Sequence, residues 1–167
     1  MKRITVNVSQ GDVFAEVAKA SDYIGSKLIE TDENARDRIL MTDEAEEDLS
    51  RFWDETIQAV NESLKEMLSG DTPLTGGIYS AELEVASRWN MALLATVKSM
   101  LRSFFIASII GQWFKIVKPD EADGYFTQAA ELMASIKRTL YSRRRPTRPD
   151  NYTTTAKQKP TLPFIKI

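Results

Sequence analysis

Apolar side chains are densest between Arg88 and Lys118, where two rows run at helical spacing. Leu93, Val97, Met100, Phe104, Ala107, Gly111 and Phe114 recur at alternating steps of four and three, which is the seam of a helix. Leu94, Leu101, Ile106, Ile110, Trp113 and Val117 flank that seam. Lys98 and Arg102 begin a polar stripe, but beyond Arg102 Phe105, Ile109 and Ile116 fill it, with only Ser108, Gln112 and Lys115 beside them. A helix that is apolar nearly all round is buried on every side. The pattern therefore predicts that a face carrying Phe105, Ile109, Gln112 and Ile116 is closed by another subunit.

The rest of the chain reads as shorter elements. Ile4, Val6 and Val8 alternate with Thr5 and Asn7, a short strand. Ser9 and Asp12 have capping-box spacing, and Val13, Phe14, Val17, Ser21, Ile24 and Leu28 mark a first helix to about Ile29, with Gly25 as a place for a bend. A single helical turn is expected around Ala35 to Leu40. Thr42 or Asp43 can cap the next helix, whose first turns hold Glu44, Glu46, Glu47 and Asp48, where the helix dipole favours negative charge. Leu49, Trp53, Ile57, Val60, Leu64 and Met67 form its stripe until Gly70. Pro73 and Gly76-Gly77 mark a loop. Ser80 can cap a helix from Ala81 that runs through to Val117 or breaks near Asn90. Pro119 ends it, Asp120 to Gly124 connect, and Tyr125, Phe126, Ala129, Leu132, Met133, Ile136 and Leu140 define a last helix.

From Pro146 onward there are four prolines and no helical period. The organisation is thus an all-α domain, a bundle of four to five helices with a short N-terminal strand over residues 1–145, followed by an extended arm over residues 146–167. Leu162, Phe164, Ile165 and Ile167 are too apolar for a segment that is only solvated, so they are expected to dock on a partner.

Charge changes the picture more than composition does. Residues 1–136 hold 13 Lys or Arg against 23 Asp or Glu, a net −10, whereas residues 137–167 hold 9 against 1, a net +8. An acidic body with a basic end points to contact with something negative, either nucleic acid or a neighbouring copy. Arg143, Arg144, Arg145 and Arg148 form the basic patch, and Tyr141 and Tyr152 beside them could stack on bases. The chain has no cysteine and no histidine, which removes thiolate chemistry, the commonest near-neutral base and the commonest metal ligands. The N-terminus has no apolar stretch of the signal-peptide kind. The longest uncharged run, Ser103 to Phe114, is shorter than the ~20 residues of a membrane span. Gly76-Gly77 lacks the lysine and hydroxyl of a phosphate loop, and PDEADG at 119–124 lacks the ligand spacing of a calcium loop. The expectation is an intracellular protein that is not an enzyme, with no cofactor and no metal.

The run Ile39-Leu40-Met41-Thr42-Asp43-Glu44-Ala45-Glu46-Glu47-Asp48-Leu49, continuing to Gly70, resembles the opening of the small helical head-tail connector proteins of tailed phages. The later apolar helix ending in Trp113-Phe114, the loop after it, and the final helix followed by arginines are similar to that family too, over residues 39–145. The resemblance implies a homo-oligomeric ring subunit of a phage or prophage. It would join the portal to tail or neck proteins, in the virion neck or the bacterial host's cytoplasm, with possible contact to DNA phosphates. The alternative is a helical DNA-binding or regulatory protein that uses the basic C-terminal segment.

Overall fold

Ser9 closes the first strand and opens the first helix, its hydroxyl accepting the Asp12 amide at 3.5 Å. The computed structural model describes residues 1–28, 33–40, 45–70, 74–75 and 77–143, with residues 74–75 in backbone only. In order, the elements are β1 (Lys2–Ser9), α1 (Gln10–Lys27), α2 (Ala35–Ile39), α3 (Glu46–Leu64), β2 (Leu74–Thr75), β3 (Ile78–Val85), a 3-10 turn at Met91–Leu93, α4 (Leu94–Val117) and α5 (Pro119–Tyr141). The protein is mostly helical, and its three strands form one antiparallel sheet in the order β1-β3-β2.

The sheet corrects the all-α expectation. The sequence predicts a loop through Tyr79, a cap at Ser80 and a helix from Ala81 with Glu82 and Glu84 as its dipole-favoured acids, but residues 78–85 take another form. They form β3 instead. Tyr79, Ala81, Leu83 and Val85 are buried and alternate with outward-turned Ile78, Ser80, Glu82 and Glu84, the period of two that a half-buried strand requires. β3 pairs with β1 from Ser9↔Ile78 to Lys2↔Val85 without a break, across a gap of three helices in sequence. One isolated strand motif near the N-terminus could not reveal its distant partner.

The long helix starts only after Asn90, whose side chain accepts the Ala92 amide at 3.2 Å. Pro119 ends α4 as expected, but it also opens α5 at its first turn, where a missing N–H costs nothing. Residues 120–124 are therefore helical and do not form a separate connection. α4 and α5 make a tight hairpin in which Gly111 faces the Phe126 ring; a Cβ there would come within 3.0 Å of it. Gly25 serves close approach too: a Cβ would sit 2.9 Å from the Arg36 Cα, so glycine lets α2 lie against α1. In α3 the expected stripe is buried, joined by Phe52. Its expected caps, Thr42 and Asp43, lie outside the described residues.

α4 is the axis of the molecule. Trp113 donates its indole N–H to the Ile39 carbonyl at 2.8 Å, tying α2 to α4. Trp89 likewise donates to the Thr139 carbonyl at 2.9 Å, tying the approach to α4 onto the last turn of α5. Met91–Val117 has the length and hydropathy of a membrane-crossing helix; α1, α3, α5 and β1 of the same chain pack against it and bury part of it, while Met91 and Ile116 stay exposed.

Candidate functional site

The sequence places an inter-subunit face at Phe105, Ile109, Gln112 and Ile116, and the structure divides these four. Phe105 and Ile109 are fully buried, at 0% exposure, so they are core residues of their own chain and the expectation for them is corrected. Phe105 is held by Trp53 (ring centroids 4.8 Å apart), Tyr79 (5.4 Å) and Phe104 (6.4 Å, edge-on). The cover comes from α3 and from the inner face of the sheet. A helix starting at Ala81 offers no such layer, whereas the strand Ile78–Val85 supplies it.

Farther along α4 the face does emerge. Ile116 is 57% exposed, while Gln112, one turn earlier, is half-buried and holds its Oε1 with no hydrogen-bond partner among the described residues. An unsatisfied buried carbonyl of this kind costs about 1–3 kcal/mol. These two residues are what remains of the expected interface.

The basic patch and the docking arm are described only at Arg143; Arg144, Arg145 and Arg148, together with Leu162, Phe164, Ile165 and Ile167, lie outside the described residues. Arg143 is exposed just past the end of α5 and lines a cleft of about 190 Å³ with Met1, Glu66, Glu84 and Tyr141. Its charges are mixed, the Glu66 and Glu84 carboxylates standing beside the Met1 amino group and Arg143. Tyr141 donates to Glu66 Oε2 at 2.9 Å, and that hydrogen bond raises the phenol's pKa above its usual value, with burial second. Glu84 sits 3.5 Å from the Arg3 guanidinium and accepts from Ser69 at 3.4 Å. The foot of the basic segment therefore stands beside two carboxylates, where the sheet, α3 and α5 meet.

A second cleft, of about 320 Å³, lies between α1 and the α4–α5 turn and includes Tyr23, Lys27, Lys118, Glu121 and Tyr125. Both lysines are already engaged, Lys27 over the Tyr23 ring at 4.8 Å and Lys118 with Glu121 at 2.9 Å. Burial, then the charge of Glu121, raises the Tyr125 pKa. Among the described residues, no three acidic side chains are grouped so as to hold a metal ion. One buried polar contact crosses the core, where Thr56 donates to the Phe52 carbonyl at 2.7 Å and lies 3.4 Å from Ser108 Oγ.

The feature missed from the sequence is the sheet's free edge. β3 is paired on both sides, by β1 on one and on the other by β2 and the bridge Leu68↔Leu83. β1 is paired on one side only among the described residues. The alternation Tyr79-Ala81-Leu83-Val85 was the available signal for the whole sheet.

Compared with known proteins, the chain matches no family model, no curated protein and no solved structure.

Proposed function

We propose that this chain is an assembly subunit without chemistry of its own, a component of a head-tail connector ring that joins the portal to the tail in a phage or prophage. The observation that carries the reading is the division of charge, net −10 over residues 1–136 and net +8 over residues 137–167. Opposite charges at different places on one chain make each copy complementary to the next. A head-to-tail contact of that kind closes into a ring when the rotation permits. The exposed Ile116, the Gln112 carbonyl that has no partner among the described residues, and the resemblance over residues 39–145 support the same reading.

The test is electron microscopy of the purified protein, alone and mixed with a phage portal protein. Ring-shaped particles capping the portal are expected, and reversing Arg143, Arg144 and Arg145 to glutamate should weaken them steeply. If the protein ignores the portal at low salt and instead binds duplex DNA with a steep salt dependence that the same reversals abolish, it is a nucleic-acid binder and the connector reading fails.

A further inference from the structure

We infer that the outer edge of β1 is the docking site for the C-terminal segment of a second copy of this chain, residues 161–167 adding there as a fourth strand. The inference deepens the assembly part of the proposed function and rests on self-association, but it does not require that the assembly be a phage connector.

The acceptor is a strand protected at one end only. Every other residue of β1 turns its N–H and C=O away from β3, and among the described residues nothing pairs with them. Natural edge strands are blunted by charged side chains, a proline, a bulge or brevity. β1 runs eight residues in unbroken register with β3; its charges, Lys2 and Arg3, stand at its first two positions, and Ile4-Thr5-Val6-Asn7-Val8 contains neither proline nor charge. Its inner side chains, Ile4, Val6 and Val8, are fixed in the core, so the edge is held rigid and ready to template a partner.

The donor is written in the same chain. Thr161-Leu162-Pro163-Phe164-Ile165-Lys166-Ile167 is rich in apolar and β-branched residues. Its one proline suits an added outermost strand, where the missing N–H can face solvent.

The spacer is long enough to serve a neighbour. The arm departs at Arg143, beside Met1 and therefore at the Lys2 end of β1. A proline-rich stretch of the length of residues 144–160 spans up to roughly 53 Å at ~3.1 Å per residue. A compact body of this length has a radius of gyration of about 15 Å, so that span exceeds one subunit's diameter and can bring residues 161–167 to the β1 edge of an adjoining copy.

Hydrogen exchange on the full chain tests this directly. In wild type at high concentration, peptides covering residues 2–9 should exchange at least tenfold more slowly than in Ile165→Pro, which breaks the added strand and leaves residues 1–143 untouched. Ile165→Pro should keep the wild-type helical circular dichroism and shift the protein toward monomer in light scattering. Because the chain has no native cysteine, a second experiment assigns the donor. Single variants at Arg3→Cys, Thr5→Cys and Asn7→Cys are each mixed with Phe164→Cys or Ile165→Cys and oxidised. Disulfide-linked dimers between edge and arm variants are expected. Equal exchange of residues 2–9 in wild type and Ile165→Pro, a wild type that is monomeric throughout, or pairing only when both cysteines share one chain, would overturn the inference. Oligomers that persist in Ile165→Pro would overturn it too, and would leave the assembly reading standing. Arm exchange without portal binding would sink the connector reading alone.

Discussion

Phe105→Ala separates a core reading of α4 from an interface reading. The ring is wholly buried within its own chain, against Trp53, Tyr79 and Phe104 at 4.8, 5.4 and 6.4 Å. Removing it leaves a cavity lined by rigid aromatic groups that relax poorly. The expected cost is that of a buried Phe→Ala change, about 3–5 kcal/mol, with the upper half favoured because three aromatic contacts are lost together. For a domain of this size each kcal/mol lowers Tm by about 2–4 °C, so a drop on the order of 10 °C is expected. Urea unfolding followed by circular dichroism at 222 nm measures it, with the slope of the transition showing whether the denatured state also changes. A loss under about 1 kcal/mol accompanied by dissociation of an oligomer would refute the argument, because a residue covered by a neighbour affects association before it affects the folding of its own chain.

Gly25→Ala should lower stability by about 1 kcal/mol net, because its methyl would come within 2.9 Å of the Arg36 Cα and outweigh the ~1 kcal/mol gain in helix propensity; thermal melts check the sign. Trp113→Phe strands the Ile39 carbonyl and should cost about 1–3 kcal/mol, read from urea midpoints. Tyr79 is buried, donates to Asn61 Oδ1 at 2.8 Å, and has its phenol pKa pushed well up by that burial. The folded state keeps the proton while the unfolded chain releases it near pH 10, so Tyr79's contribution is intact below about pH 10 and lost as pH climbs toward the folded value. Urea midpoints from pH 8 to 11 should fall at the top of that range, and Tyr79→Phe, at a cost of about 1 kcal/mol at neutral pH, should flatten the fall; an unchanged slope would contradict the assignment.

Helices were legible wherever one amphipathic period ran for several turns. α3 follows the stripe from Leu49 but ends at Leu64, short of the expected Gly70, where Leu68 instead bridges Leu83; the body of α4 stands where Val97 through Phe114 put it, the alternative break near Asn90 is the one the fold makes, and Ser9 caps α1 as its spacing predicts. The short α2 stands where a single turn is expected around Ala35 to Leu40. β3 was not: Ser80, Glu82 and Glu84 imitate a helix start, and the alternation that distinguishes a strand is only eight residues long. Nor could the arrangement of residues along α4 say who covers Phe105.

Local spacing settles which side chains must leave water, because the 3.6-residue and two-residue periods are properties of a short stretch of backbone. That much was written in the order of the residues: a helix greasy on all sides, an acidic body, a basic end with an apolar finish. Which atoms do the covering depends on contacts between segments far apart in the chain. The Ser9↔Ile78 pairing and the Phe105–Tyr79 stacking close loops that no local period encodes. The fold covers Phe105 with its own sheet and buries Ile109 within the chain, and among the described residues it leaves Ile116 exposed and the outer edge of β1 unpaired.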